Sequence, residues 1–480
     1  MRLALCLAAL LSASIGQASS PPDPDQLLRA LADSGSLSGL RWPNFTRIQA
    51  EVTRVYEANR YQLAWVRGGA PTPQAQAIMA VLENAAAKGL DPADFDGWRL
   101  HISDAGPERF DLAVTISALR YISDISSGRV NPEVFSFGLH FNQKKPDPAQ
   151  VLLALMDSRD VPADLSRLEP PFEGYWRTQK ALAGYLELAR KDAHPNSPAG
   201  KLLAQRVRKL QLTLERWRWV PHSFSRPPIV VNIPEFRLRA YDEHYRPELE
   251  MRVVVGKAYH HKTPVFSNEM THVIFRPYWD VPLSIQRAEL VPKLEKDPAY
   301  LGENDYEIVN SRRQVVSTNS VTPDMLAQLR TGELSIRQRP GEKNALGLVK
   351  FLFPNEYNVY LHGTPAKALF LKTRRDFSHG CIRVEKPEEL AQWVLRGVPG
   401  WDKEHILEAE QGADSRRVNL DQPIPVLIVY GTAVVQANGD AEFFNDIYGY
   451  DAELAELLDH GYPYSGWQPT SGALGPRPRE

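Results

Sequence analysis

The chain has 480 residues, of which 43% are hydrophobic and 24% are charged, and its formal net charge at pH 7 is -2. This length predicts roughly two to four domains with ordinary globular cores. The near-neutral charge gives no general electrostatic reason for binding nucleic acid, so that class of partner is excluded from the prediction.

The N-terminus has the pattern of a secretory signal peptide, predicted over residues 1–18. Arg2 supplies a positive charge, an apolar run extends from Leu3 to Leu11, and small residues follow. The apolar run is too short to span a bilayer, which predicts a signal cleaved after Ala18 rather than a membrane anchor. A buried N-terminal helix is the alternative. No later segment is long and apolar enough for a spanning helix, so we predict no stable membrane insertion.

The first part of the mature chain, residues 19–190, is predicted to be a helical scaffold domain. Thr72 can cap a helix whose first turn suits Pro73. Ile78 and Leu82 share one face of this helix at helical spacing. Similar spacing predicts further helices over residues 45–59, 110–126, 148–158 and 175–190. The segment contains no cluster of histidines, cysteines or carboxylates that would make a site.

Residues 191–226 are predicted to form a linker and a basic helix. The linker is "KDAHPNSPAG", and the helix "KLLAQRVRKLQLTLERWRWVP" ends at Pro221. Five cations of this helix are interpreted as a solvated face beside an apolar stripe: Arg206, Arg208, Lys209, Arg216 and Arg218. An anionic partner for these cations is the alternative.

After residue 226 the sequence changes to short β-rich runs, so the chain as a whole is predicted to be a multidomain α+β protein. Runs such as "PPIVVNIPEFRLRAYD" and "PIPVLIVYGTAVV" predict an all-β sandwich or barrel over residues 227–445. A polar segment over residues 284–344 interrupts it, contains the predicted helix "TPDMLAQLRTG", and is interpreted as a lid over a site. Residues 446–480 are predicted to be a C-terminal extension with a disordered end.

Cys381 lies in the stretch "DFSHGCIRVEKP" and is the cysteine that remains once a signal peptide carrying Cys6 is removed. A lone thiol in an exported protein is an intermolecular bridge, an accident or a reactive group. A thiol becomes a nucleophile as the thiolate, and a nearby histidine can take its proton. His362 ends the apparent strand "NVYLHG" and can face a neighbouring turn, whereas the ring of His379 on a tight turn generally points elsewhere. We therefore predict His362 as the base.

Three further residues near the thiol have predicted roles. Gly380 permits a sharp turn whose N–H groups can form an oxyanion hole. The carbonyl of Gly363 can orient the imidazole, and Arg383 can bind a substrate carboxylate or steady the turn.

Two readings without nucleophilic chemistry stay open on these residues alone. One is an inert buried cysteine, and the other is a zinc site that lacks a fourth obvious ligand, built from His362, His379 and Cys381. The remaining nearby histidines have no metal-like spacing and are interpreted as surface residues: His260, His261 and His272.

The stretch "HGTPAKALFLKTRRDFSHGCIRV" resembles the signature of YkuD-type L,D-transpeptidases, which cross-link peptidoglycan. "YEANRYQLAWV", "GLDPADF", "LERWRWVP", "PYWDVPLSI" and "RQRPGEKNALGLVKF" resemble the YcbB-like periplasmic branch in the same order, over about residues 55–430. The resemblance implies a helical scaffold, a catalytic β-sandwich with a capping subdomain, and the periplasm of a Gram-negative cell. Many members also carry a peptidoglycan-binding module, for which the linker at residues 191–200 has no room.

The same resemblance implies a site and a reaction. It implies that Cys381 is the nucleophile and His362 the general base. It places His379, Gly380 and Arg383 in the catalytic turn, and Tyr360 and Trp279 at the flanks of the substrate cleft. The implied reaction joins a tetrapeptide donor stem to a diaminopimelate acceptor in a 3→3 cross-link, with no metal or cofactor, and carbapenems as inhibitors. A hydrolase that cuts cross-links or releases a wall-tethered lipoprotein is one alternative, and a non-enzymatic wall-binding protein is another. The sequence gives no indication of the oligomeric state.

Overall fold

The computed structural model describes residues 24–139 and 146–462. The predicted signal peptide with Cys6, and the predicted disordered end, lie outside the described residues. Within the described ranges, no helix combines the length and the apolar character that crossing a membrane requires.

The α-helices of the described residues, in chain order, are α1 Pro24–Asp33, α2 Gln49–Ala58, α3 Pro73–Glu83, α4 Ile102–Ala105, α5 Pro107–Ser127, α6 Pro148–Leu155, α7 Val161–Ser166, α8 Glu173–Lys191, α9 Pro198–Trp217, α10 Leu283–Ile285, α11 Val291–Lys296, α12 Tyr300–Glu303, α13 Pro323–Thr331, α14 Pro387–Leu395, α15 Lys403–Gln411 and α16 Tyr450–Asp459. A π-helical turn, Gln286–Leu290, joins α10 to α11. Short 3-10 segments are Thr46–Ile48, Ala85–Lys88, Pro92–Arg99, Pro132–Phe135 and Lys367–Leu371.

The strands are β1 Val66–Arg67, β2 Ala70–Pro71, β3 Ile229–Asn232, β4 Arg237–Tyr241, β5 Pro247–Gly256, β6 Phe266–Phe275, β7 Trp279–Asp280, β8 Tyr306–Val309, β9 Val315–Ser317, β10 Ser335–Gln338, β11 Val349–Leu352, β12 Leu361–His362, β13 Asp376–Ser378, β14 Ile382–Val384, β15 Arg416–Val429, β16 Ala433–Val435 and β17 Ala441–Phe443. The predicted class, a helical N-terminal part followed by a β-rich part in a multidomain α+β protein, is confirmed.

The described chain packs as two compact units. The first takes in the described residues of Met1–Asn84 together with Pro92–Ile122 and Asp147–Asp164, and the second takes in the others. The last segment of the first unit therefore ends at Asp164, whereas the sequence predicts a domain boundary at residue 190. The reason is that α8 packs on α9 and on the β16–β17 hairpin, through a buried cluster of Tyr175, Leu182, Leu210, Leu214, Ala433 and Val435.

The first unit forms its helices for the predicted local reasons. The side chain of Thr72 accepts a hydrogen bond from the N–H of Ala75, and Pro73 occupies the first turn of α3. Within the core, Asp111 accepts hydrogen bonds from the hydroxyl of Tyr56, at 2.8 Å, and from the N–H of Trp65, at 2.6 Å. This buried polar network holds α2 and α5 together, since each member has a partner.

The main sheet of the second unit has nine strands. Its strand order is β13-β5-β14-β12-β11-β6-β15-β3-β4, and β4 also pairs with β5. Eight strands therefore close into a ring, and β13 runs parallel to β5 beside it. The two layers expected of a sandwich are thus joined through shared strands, and their inner faces enclose an apolar core that includes Val253, Phe275, Phe351, Ile382 and Val426.

A separate subdomain, called the cap from here on, lies within the second unit at Trp279–Gln338. Its four strands form their own sheet in the order β7-β10-β8-β9, and its core is separate and centred on Leu294, Ile308 and Leu329. The cap thus begins at β7, a few residues before the predicted start at residue 284. The helix predicted within it is α13, which Thr322 caps and which ends at Gly332 with a φ of +92°.

The five cations of the predicted basic helix do not all lie on a solvated face, so that interpretation was wrong for Arg216, in α9, and for Arg218, directly after it. Arg216 is buried and its guanidinium lies 2.5 Å from a carboxylate oxygen of Asp451. Arg218 is also buried and donates to the carbonyl of Lys88. These charges are neutralised or hydrogen-bonded inside the second unit, which is the condition for burying them.

Candidate active site

The candidate site lies on three neighbouring strands of the ring. Lys350 on β11 is directly opposite His362 on β12, and His362 is directly opposite Arg383 on β14. Side chains that are directly opposite on adjacent strands project from the same face of a sheet. The alternate residues of these strands are buried in the apolar core, among them Leu361 and Ile382. Polar groups are therefore gathered on the face away from that core.

A tight turn precedes β14 and carries the thiol. Gly380 has a φ of +118°, a conformation that favours glycine. The carbonyl of Gly380 accepts a hydrogen bond from the hydroxyl of Thr263 at 2.8 Å, and the hydroxyl of Ser378 donates to the carbonyl of Cys381 at 2.5 Å. Because Thr263 from another loop and Ser378 at the end of β13 both hold its backbone, the turn presents Cys381 in a fixed place.

The turn contributes its N–H groups unequally. The N–H of Gly380 donates to the hydroxyl of Ser378 at 3.1 Å, so it is engaged within the turn. The N–H of Cys381 has no acceptor among the described residues. An oxyanion beside the thiol would therefore find the Cys381 N–H available, whereas the Gly380 N–H would first have to leave Ser378.

The sulfur of Cys381 has defined neighbours. It lies 3.6 Å from the carbonyl oxygen of Asn358. Burial raises the pKa of both Cys381 and Tyr360. Against that, hydrogen bonding from Tyr360 acts to lower the pKa of Cys381, and Trp279 acts to lower the pKa of Tyr360. The structure thus brings Trp279, from the cap, and Tyr360 together with Cys381. Both were placed near the site by family resemblance alone.

His362 is buried and held in one orientation. Its Nδ1 lies 2.6 Å from the carbonyl oxygen of Gly363, which can only accept, so Nδ1 carries a proton and Nε2 has the free lone pair in the neutral ring. Burial, and next the charge of Arg383, lower the pKa of His362 to about 3. The imidazole is therefore neutral near pH 7 and able to accept a proton at Nε2.

Cys381 is also neutral at rest. Burial of the sulfur raises the pKa of Cys381, while Tyr360, Lys350 and Arg383 act in the opposite direction. A raised thiol pKa beside a lowered imidazole pKa means that the pair is thiol and neutral histidine, not thiolate and imidazolium. Proton transfer must then accompany the attack on a substrate rather than precede it.

The ring of His379 is engaged with the cap. Its Nε2 lies 2.6 Å from Oε1 of Glu289 in the π-helical turn, and its ring centre lies 4.7 Å from that of His261. The interpretation from sequence did not include Glu289, because nothing local marks it: the residue is 90 positions away from its partner. Single π-helical turns often mark functional places in helices, but they are not readable from an apolar pattern.

Two cations near the thiol have no carboxylate partner in the described part of the chain. Arg383 is half-buried, and its Nε is buried without a hydrogen-bond partner among the described residues. Lys350, which the interpretation from sequence also missed, is half-buried, and none of the described carboxylates lies at ion-pair distance from it. The site is therefore electropositive and suited to negative charge that a substrate brings or a reaction creates.

The remaining histidines are not all surface residues. His272, on β6, is buried, so its interpretation as a surface residue was wrong; its Nδ1 lies 2.9 Å from the hydroxyl of Thr271. Across residues 24–139 and 146–462, no three His, Cys, Asp or Glu side chains are grouped so that they could hold a metal ion.

Comparison with known proteins agrees with this geometry. Residues 226–406 match the family model of the L,D-transpeptidase catalytic domain, YkuD, and residues 50–182 match that of a scaffold domain. A curated protein of Haemophilus influenzae, described as "Putative L,D-transpeptidase", is 33% identical over 255 residues, which are 52% of this chain and 50% of that protein. The chain thus spans about half the length of the curated relative that it matches.

Proposed function

Because the chain carries a YkuD-type L,D-transpeptidase catalytic domain and a scaffold domain, we propose that it is a peptidoglycan L,D-transpeptidase with Cys381 as its nucleophile and His362 as its base. The observation that supports this most is the fixed orientation of the buried, neutral imidazole, whose Nδ1 is tied to Gly363 at 2.6 Å. A base with a free Nε2 on the strand beside the thiol-bearing turn is the arrangement that acyl transfer needs.

In the first half-reaction, the sulfur of Cys381 attacks the carbonyl carbon of meso-diaminopimelate in a tetrapeptide donor stem. The thiol proton passes to Nε2 of His362, and the carbonyl oxygen becomes an oxyanion. The N–H of Cys381 is free to donate to that oxygen. The C–N bond then breaks, the amine of D-alanine takes the proton from His362, and a thioester remains on Cys381.

In the second half-reaction, the side-chain amine of diaminopimelate in another stem attacks the thioester. His362 takes a proton from this amine, the C–S bond breaks, and the sulfur regains a proton. The product is a 3→3 cross-link. The cations of Lys350 and Arg383 oppose no carboxylate within the described residues, so they favour the negative charge present on the sulfur and the oxyanion during both steps.

Substrate location and compartment follow as parts of the same proposal. Stem peptides carry carboxylates, for which Arg383 is a candidate partner because its Nε is buried without a hydrogen-bond partner among the described residues. Between the end of α8 at Lys191 and the start of α9 at Pro198 there is no space for a folded module. The reaction requires an extracytoplasmic location, which agrees with the predicted signal peptide and the periplasm.

The test is incubation of the mature protein with purified tetrapeptide-rich muropeptides, followed by mass spectrometry of products. The expected result is a 3→3 dimer with release of D-alanine. Shortened stems without dimers would instead indicate a hydrolase that uses the same acyl-enzyme. Sacculus binding without any acylation of Cys381 would contradict the enzymatic proposal and leave a wall-binding protein.

A further inference from the structure

Lys350 contributes a favourable charge to the reaction proposed above, but none of its own contacts has yet been given a part in that reaction. It is directly opposite His362 on the sheet, with the half-buried side chain on the same face. Burying an ammonium group without a counter-charge is costly, because water no longer solvates it. A lysine at such a position therefore needs a local reason.

The ammonium of Lys350 stacks on the ring of Tyr360. Its Nζ lies 3.8 Å from the ring centre, well within the range of a cation–π interaction. The ring of Tyr360 also lies 5.6 Å, centre to centre, from that of His362. The ring of Tyr360 thus lies against the ammonium of Lys350 and next to the imidazole of His362.

Tyr360 also acts on Cys381: against the larger effect of burial, hydrogen bonding from Tyr360 lowers the pKa of that thiol. A hydrogen bond to the sulfur favours the thiolate over the thiol, because the donor stabilises the charged form. The orientation of Tyr360 therefore bears directly on how readily the thiol loses its proton.

The charge of Lys350 acts in the same direction. It lowers the pKa of Cys381, and it also lowers the pKa of His362. The other charged groups that face this position are Arg383, which has the same sign, and Asp280. Burial lowers the pKa of Lys350 and Asp280 acts in the opposite direction, but Asp280 is itself paired with Arg313 at 2.7 Å. Positive charge therefore predominates at the place where the thiolate forms.

We propose that Lys350 is a positioning residue, whose ammonium orients the ring of Tyr360 beside His362 and supplies fixed positive charge that favours the thiolate of Cys381. The proposal rests on the proposed function only in that it takes Cys381 as the reactive thiol. It adds to that function a role for Lys350, on the strand next to His362, in activating the thiol of Cys381.

The experiment measures the pH dependence of alkylation of Cys381 by iodoacetamide in the full mature chain, since this readout needs no peptidoglycan. Lys350→Met is the principal variant. This variant should raise the pH at which the thiol titrates by about one unit. Alkylation at neutral pH should then be about tenfold slower, since a change of one pKa unit changes the fraction of thiolate about tenfold. Lys350→Arg retains both the charge and the stacking, so it should restore the titration of the wild-type protein.

A matched control is Lys372→Met. Lys372 also stacks on an aromatic ring, with Nζ 5.0 Å from the ring centre of Phe377, but it has no link to the thiol. It should leave the titration unchanged. Tyr360→Phe keeps the ring under Lys350 and removes the hydroxyl, so it should also raise the pH at which the thiol titrates. In the double variant with Lys350→Met, the shift should be smaller than the sum of the shifts in the two single variants.

Two results would overturn the proposal. One is a folded Lys350→Met protein that titrates like wild type. The other, decisive also if Lys350→Met does not fold, is a Tyr360→Phe protein whose titration is unchanged. Cross-linking of muropeptides by the wild-type protein is measured separately. Failure of cross-linking would contradict the proposed function, whereas an unchanged thiol titration in the variants would contradict only the role of Lys350.

Discussion

Oε1 of Glu289 lies 2.6 Å from Nε2 of His379, and this contact joins the cap to the turn that carries Cys381, the proposed nucleophile. His379 immediately precedes Gly380, whose backbone sets the direction of Cys381. Any movement of the cap that displaces the π-helical turn must break this contact or carry the turn with it. The position of the cap and the geometry of the thiol are therefore coupled through one side-chain pair.

Removing Glu289 tests this coupling. Glu289→Ala should lower the acylation rate of Cys381 several-fold and increase hydrolysis relative to transfer, because a less firmly held cap shields the thioester less well from water. The ratio of shortened stems to dimers, measured by mass spectrometry, gives the answer. Glu333→Ala is the control, since Glu333 is an exposed carboxylate of the same cap. Equal product ratios in the two variants would contradict the coupling.

Replacing the nucleophile should separate chemistry from folding. Cys381→Ala should abolish product formation, since no other described residue offers a thiol. The thermal unfolding midpoint should change little, because a small side chain at a partly exposed position contributes little packing. Turnover in the alanine variant above roughly one percent of wild type would exclude Cys381 as the nucleophile, since loss of a nucleophile costs many orders of magnitude.

The lowered pKa of His362 has a consequence for stability in acid. The folded protein keeps the ring neutral down to about pH 3, whereas an unfolded histidine takes up a proton near pH 6.5. Between these values the unfolded state binds more protons, so the contribution of His362 to stability is present above pH 6.5 and is lost as the pH falls. The slope from one group is at most about 1.4 kcal/mol per pH unit.

His362→Gln removes this proton uptake, so its free energy of unfolding should fall less steeply between pH 6.5 and pH 4 than that of wild type. Urea titrations at several pH values measure the slope. His460→Gln, at an exposed position after α16, should keep the wild-type slope. The same His362→Gln protein should acylate Cys381 about 10²-fold more slowly. Parallel stability profiles in wild type and His362→Gln would show that the ring is not kept neutral by the fold.

A carbapenem should acylate the thiol, because its strained carbonyl offers the same attack as the donor stem. Whole-protein mass spectrometry of the mature chain should show one added drug mass, and peptide mapping should place it on Cys381. Cys381→Ser should lose the adduct, since a hydroxyl is far harder to ionise than a thiol. An adduct on another residue of the folded protein would contradict the acyl-enzyme mechanism.

The sequence predicts those features that local patterns determine. The helices α3, α5 and α8 follow from apolar spacing, and the cap of α3 follows from Thr72 and Pro73. The stretch around Cys381 is itself local, so the thiol and the turn glycine stand out without a structure.

Features that depend on distant strands could not be predicted in this way. Lys350 becomes part of the site through its register with His362, and Glu289 through a contact that spans 90 positions. The burial of His272 depends on β15 pairing with β6, a pairing that neither strand's own pattern specifies. Register and long-range contacts are properties of the whole sheet, since they are set by the packing of all its strands.

The two glycines of the candidate site make a matched pair for the last prediction. Gly380 has a φ of +118°, and a Cβ added there would meet only the carbonyl oxygen of Lys262, at 4.0 Å. Space is therefore available, and the cost of Gly380→Ala is backbone strain, about 1–3 kcal/mol if the turn keeps its shape. Gly363 does not need positive φ, and an added Cβ would have ordinary contacts, the nearest at 3.4 Å.

Gly380→Ala should therefore lower the unfolding midpoint, or else relax the turn and reduce acylation of Cys381 by about tenfold or more, because a displaced nucleophile loses its alignment with the base. Gly363→Ala should keep most of the acylation rate, since its carbonyl can still accept from Nδ1 of His362. Calorimetry and the rate of carbapenem adduct formation measure the two effects. Similar losses in both variants would mean that crowding around the site, and not the turn conformation at Gly380, is what the substitutions disturb.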